Sequence, residues 1–199
     1  MHNRFQPFVS NCLFNELEKK YIIIIRTIFT IFLLFTWVGG SAQFLGETGW
    51  DSEEEFRSVE DKIIENIIWL EENPFATESN DTKAITQYVL DWLTETPYVS
   101  VTLDEVFTDG VTNNKKYKYA DKLVITYLFG KSVYVIQNPE DNSQVNASTR
   151  GVIGMVKVYE ELIKSDLKAY SRTMETYQNL YQNGNLEEYV RIKLEELGI

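Results

Sequence analysis

The stretch YADKLVITYLFGKSVYVIQ, residues 119–137, decides the fold class. As a helix it places Ala120, Leu123, Val124, Tyr127, Leu128 and Tyr134 at helical spacings. As a hairpin it offers strands at 123–129 and 132–136, rich in β-branched side chains, with Gly130-Lys131 as the turn. Alternation with a period of two is poor, and every flanking segment reads as helical. Helix is therefore the expected state, with Gly130 as a point of close packing and the hairpin as the alternative.

Outward from this stretch the punctuation is regular. Ser52 with Glu55 forms a capping box that opens a helix to about residue 72, with Phe56, Val59, Ile63, Ile67 and Leu70 on one face. Trp50 is placed to pack back on Phe56, and Asn73-Pro74 stops the helix. A second helix spans about 81–94, and Thr102 with Glu105 suggests a short third one ending at Asp109-Gly110. After the polar loop 113–118 and the central stretch come helices at about 149–165, 166–182 (broken around Ser171) and 185–198. The expected architecture is all-α: five to seven helices in one domain, 50–199, packed as stacked antiparallel hairpins behind a short linker at 43–49.

The chain has 199 residues, 44% of them hydrophobic, which suffices for one ordinary core. With 19 basic and 30 acidic residues its net charge is −11, so binding to nucleic acid through phosphate neutralisation is not expected. Near the start, Lys19, Lys20 and Arg26 precede twelve uncharged residues, 27–38, and then Gly39, Gly40, Ser41 and Ala42. This is the pattern of a secretory signal peptide, 1–42, cut between Ala42 and Gln43. Arg26 would lie inside a retained membrane helix at a cost of about 2.5–3.5 kcal/mol. Export to the periplasm or beyond is the expectation, with membrane contact only through an uncleaved signal.

Cleavage would leave 15 basic and 28 acidic residues, a net of −13, and would remove both His2 and Cys12, the chain's single histidine and cysteine. A mature chain without His or Cys has no Ser-His-Asp or Cys-His machinery, no disulfide and no usual ligands for zinc, copper or haem. No cofactor or metal is expected. Carboxylate pairs, a desolvated Lys and oxygen-ligated Ca²⁺ or Mg²⁺ remain open.

The acidic pairs at Glu53-Glu54-Glu55, Glu71-Glu72, Glu160-Glu161, Glu187-Glu188 and Glu195-Glu196 read as solvated helix faces. Asp104, Asp109 and Gly110 lack the alternating ligands of a calcium loop. One basic cluster stands out: Lys115, Lys116, Lys118 and Lys122, interleaved with Tyr117 and Tyr119 at the N-terminus of the central helix, where the dipole disfavours positive charge. Lys115, Lys116, Tyr117, Lys118 and Lys122 are the candidate partner-binding residues, for a carboxylate or phosphate. Tyr170, Tyr177, Tyr181 and Tyr189, with Met174, read as core residues whose hydroxyls reach the surface, with an exposed groove for a peptide or sugar as the alternative.

Ser41-Ala42-Gln43, with the phrases Trp69-Leu-Glu-Glu-Asn-Pro74 and Tyr127-Leu-Phe-Gly130, resembles small exported helical proteins of Bacteroidetes-type Gram-negative bacteria. The resemblance implies export and a helical fold, and carries no activity. The two Asn-Pro stops, each followed by a polar loop and a helix, are similar to tetratricopeptide-type hairpins, although the signature Trp, Gly, Tyr and Ala positions do not align. The functional expectation is a non-catalytic interaction or scaffold protein whose partner is another protein, more plausibly basic than acidic. The alternative is a hydrolase using two carboxylates on an envelope or extracellular polymer.

Overall fold

The ambiguous central stretch is one continuous helix, Ala120–Gln137, in the computed structural model of the chain. The structure describes residues 45, 46, 48–74 and 80–199. The expected signal segment and its junction at Ala42 and Gln43 lie outside the described residues. The elements are α1 (Glu53–Ser58), α2 (Glu60–Glu72), α3 (Asn80–Glu95), α4 (Glu105–Thr112), α5 (Ala120–Gln137), α6 (Gln144–Ser165), a 3-10 turn (Leu167–Ala169), α7 (Arg172–Gln182) and α8 (Leu186–Glu196). Among the described residues there is no strand, so the fold is all-α. The described residues form eight α-helices where five to seven were expected.

The weak periodicity of α5 follows from where it sits. Leu123 and Tyr127 enter one apolar cluster with side chains of α4, α6, α7 and α8. Phe129, Val133 and Ile136 enter a second, with side chains of α1, α2 and α3. A helix with apolar neighbours on most sides has no polar stripe, and its sequence shows no clean period. Helix α6 runs antiparallel to it: Asn146 bonds the Tyr134 hydroxyl near the connecting loop, Gly151 faces Gly130 midway, and Asp166 meets Tyr119 at the far end.

Gly130 is the close-packing point expected of it. A Cβ there would stand 2.7 Å from the Arg150 carbonyl oxygen and 2.9 Å from the Gly151 Cα, and one on Gly151 would stand 2.8 Å from the Tyr127 ring. The obstructing atoms are backbone or a buried ring, so the helices themselves must move. Gly130→Ala and Gly151→Ala should each destabilise the fold by about 1–3 kcal/mol, despite the better helix propensity of alanine. Urea midpoints measure this, and unchanged midpoints would show that α5 and α6 separate without cost.

The extra helix arises because the expected helix over 52–72 breaks at Val59, whose backbone (φ −109°, ψ 2°) leaves the helical region. The indole Nε1 of Trp92 donates to the Phe56 carbonyl at 3.2 Å. In an unbroken helix that carbonyl would accept from residue 60. The first half of the expected capping box is present, Ser52 Oγ accepting from the Glu55 N–H, while the Glu55 carboxylate reaches one residue further back and accepts from the Asp51 N–H instead of that of Ser52. The Trp50 and Phe56 rings pack at 5.3 Å.

The two Asn-Pro stops share one geometry. Asn73 and Asn138 each donate both the backbone N–H and the side-chain amide to the carbonyl four residues back, on Trp69 and Tyr134. Two boundaries differ from expectation. Helix α6 begins at Gln144 because Ser143 caps it, its Oγ accepting from the Asn146 N–H. Helix α4 runs through Gly110 to Thr112, and Asp104, not Thr102, occupies its N-cap position.

Candidate functional site

Loop 113–119 turns tightly on Asn114, whose carbonyl accepts from the Tyr117 N–H at 2.8 Å and whose side chain accepts from the Lys116 N–H at 3.2 Å. Lys115 and Lys116 stand exposed on the outside of this turn. Tyr117 points inward and is buried, its hydroxyl donating to the Ala169 carbonyl at 2.8 Å. Tyr119 is also buried and donates to Asp166 Oδ2 at 2.7 Å, where the exposed Lys118 forms an ion pair at the same distance. Asp166 in turn caps the 3-10 turn, its Oδ1 accepting from the Lys168 N–H. The Lys118 ammonium, the Tyr119 hydroxyl and that N–H hold the Asp166 carboxyl well below the usual carboxylate range.

These bonds join loop 113–119 to residues 166–170 as one unit, the tip. Its turn presents Leu167, 83% exposed, and Tyr170, 62% exposed. Lys168 and Arg172 are exposed beside them. The tip thus carries Lys115, Lys116, Lys118 and Lys168 together with exposed Leu167 and Tyr170, with Arg172 just after it, in a chain whose net charge is −11.

The five residues expected to bind a partner therefore do not form one patch. Lys115, Lys116 and Lys118 lie on the tip, and Tyr117 anchors it from inside. Lys122 belongs elsewhere: half-buried in the first turn of α5, it donates to the Pro74 carbonyl just past the C-terminus of α2. A helix C-terminus is where an ammonium is favoured. Lys122 helps line a cavity of about 200 Å³ with Leu70, Pro74, Ile125 and Phe129, and burial pushes its pKa down to about 8.

Leu167, Lys168 and Arg172 were missed because Leu167 lies four residues after Ile163 and so continues an apolar helix face on paper. Among the tyrosines, Tyr177 is buried with its hydroxyl on the Phe107 carbonyl, and Met174 is buried near it. Tyr170 and Tyr181 are exposed, against the expectation of a core role. Ile192, Leu197 and Ile199 are also exposed at the end of the chain, near Glu195 and Glu196.

Two acids read as solvated or incidental in the sequence are interior. Glu71, 1% exposed, receives both Arg150 Nη1 and Nη2, at 2.7 and 3.0 Å, and Lys157 Nζ at 3.2 Å. Asp104 Oδ2 accepts from Lys131 Nζ at 2.7 Å, from the Tyr127 hydroxyl at 2.5 Å and from Ser148 Oγ at 2.7 Å. Lys131, only 2% exposed, completes its bonding with the Thr102 carbonyl at 3.0 Å. Burial opposes the charge on Asp104, but the ammonium and the two hydroxyls outweigh it and lower its pKa. A two-carboxylate hydrolase requires a carboxyl whose pKa is raised so that it can serve as an acid. Asp104 is tuned the opposite way, and the bonding partners of Glu71 are cations.

No family model matches the chain, and neither a curated protein nor a solved structure matches it. Among the described residues no group of three or more His, Cys, Asp or Glu side chains is placed to hold a metal ion, and no helix is long and apolar enough to cross a membrane.

Proposed function

We propose that this chain is an exported, non-catalytic interaction protein that docks on an anionic partner in the cell envelope through the tip. The observation that carries the reading is the fixed exposure of Leu167 among Lys115, Lys116, Lys168 and Arg172. Isolated exposed leucines are ordinary on protein surfaces. This one stands on a turn whose capping aspartate is held by Lys118 and Tyr119, so its position is set by the fold rather than by a loose loop. The interior polar groups support the same reading, because Asp104, Lys131, Tyr127 and Ser148 are spent on one another. This reading takes an anionic partner in place of the expected basic one because the tip carries exposed cations beside Leu167 and Tyr170.

The test is cross-linking and affinity capture of the tagged full-length chain from its native envelope, compared with a K115E/K116E/K168E variant. All three lysines are exposed, and Lys118 is left in place because it holds the turn. The variant should lose the recurrent cross-links while its melting temperature stays the same. Capture that is unchanged by three charge reversals would sink the tip as a docking surface.

A further inference from the structure

We infer that the partner of the tip is an anionic lipid bilayer surface, with Leu167 and Tyr170 entering the headgroup layer between Lys115, Lys116, Lys168 and Arg172. The inference rests on the tip being the docking surface of the chain.

Composition decides between a bilayer and a protein. Protein–protein interfaces are depleted in Lys, and their energetic centres seldom rely on Leu. Membrane interfaces favour this combination: a tyrosine at headgroup depth, an aliphatic side chain below it, and lysines whose stems lie along the apolar layer while their ammoniums stay wet. A side chain as exposed as Leu167 needs a matching hollow on a protein, whereas a headgroup layer yields around it.

Charge sets the orientation. Each Lys or Arg near an anionic surface contributes about 1 kcal/mol, and the field fades within a Debye length of about 10 Å. Lys115 and Lys116 are carried on a loop joined to residues 166–170 through Tyr117 and Tyr119, Lys168 and Arg172 flank Leu167 and Tyr170 in the chain, and the acid within the tip, Asp166, is already paired with Lys118. An acidic domain is repelled in every orientation that does not lead with its cations. The attachment is peripheral and reversible, because the apolar contact is one leucine and one tyrosine.

The scaffold suits this role. The Tyr117 hydroxyl on Ala169, the Tyr119 hydroxyl on Asp166 and the Lys118–Asp166 pair fix the turn from inside the domain, so docking orders little that is not already ordered.

The test places an environment-sensitive dye at the tip of the full-length chain. A C12S/L167C variant carries one thiol for labelling, and C12S/Y181C carries it on α7 as a control. Each is mixed with phosphatidylcholine vesicles containing about one third phosphatidylglycerol, and with pure phosphatidylcholine vesicles. The expected result is a blue shift and lipid-phase quenching at position 167 on the anionic vesicles only, lost at high salt, with position 181 remaining aqueous. Adding K115E, K116E and K168E should weaken partition at least about tenfold. No shift at 167, or equal shifts at 167 and 181, overturns the inference. Because the dye reports position 167 itself, insertion of any other segment cannot mimic the result. A tip-dependent cross-link to a protein without a shift at 167 would overturn the lipid partner and leave the tip as the docking surface. Loss of both would remove the tip as well.

Discussion

Replacing Asp104 by alanine is expected to cost about 3–5 kcal/mol, enough to leave much of the chain unfolded at 37 °C. The loss is large because of what stays behind. Lys131 is 2% exposed, and without Asp104 its ammonium keeps one neutral acceptor, the Thr102 carbonyl. Tyr127 and Ser148 lose their acceptor in the same step. Adding Lys131→Met to Asp104→Ala should therefore restore part of the stability, since the double variant strands no charge. A double variant no more stable than D104A would show that Lys131 reaches water. The same site sets an acid limit. The Asp104 pKa is lower in the fold than in the unfolded chain, so its stabilisation is fully present above the ordinary aspartate range, about pH 4, and drains away as the pH falls below it. Urea midpoints between about pH 2 and 6 should fall less steeply in D104N than in the parent.

Glu71→Ala is the second substitution with a large expected effect, about 3 kcal/mol. Glu71 lies in the last turn of α2, where the helix dipole opposes a negative charge. It is held there by the two-pronged bond from Arg150 and by Lys157, both on α6. Gly154 makes the room, since a Cβ at that position would stand 2.8 Å from Glu71 Oε1. Removal leaves Arg150 largely buried without its anion, although Lys157 can turn to solvent, which keeps the cost at the lower end for a buried pair. Glu71→Gln retains the volume and part of the hydrogen bonding, and should cost clearly less. Thermal and urea unfolding of the three proteins checks the order. Equal stabilities would mean that apolar packing alone fixes α2 on α6.

The sequence made local signals legible. Ser52 as a cap, the two Asn-Pro stops and Gly130 all act between residues a few positions apart or on one helix face, and each does in the fold what its spacing implied. What could not be read depends on distant partners. Val59 breaks a helix because of Trp92, thirty-three positions away. Glu71 and Lys131 look like ordinary helix-surface charges until α6 and the segment before α4 close over them. Lys122 sits with the basic loop in the sequence, but the end of α2 draws it into a separate wall. Leu167 is the converse case: it continues an apolar spacing on paper, and the cap formed by Asp166 turns it outward.

Because α5 supplies side chains to both apolar clusters, neither half of the domain can keep its core when the other melts. The described tryptophans, Trp50, Trp69 and Trp92, lie on or near the N-terminal helices, and most of the buried tyrosines lie in the other cluster. Indole and phenol signals thus report opposite halves of the protein, yet the shared helix binds them to a single transition. Melting followed by tryptophan and by tyrosine signals should therefore coincide, and the turn at Leu167 should be lost in the same step as the N-terminal helices.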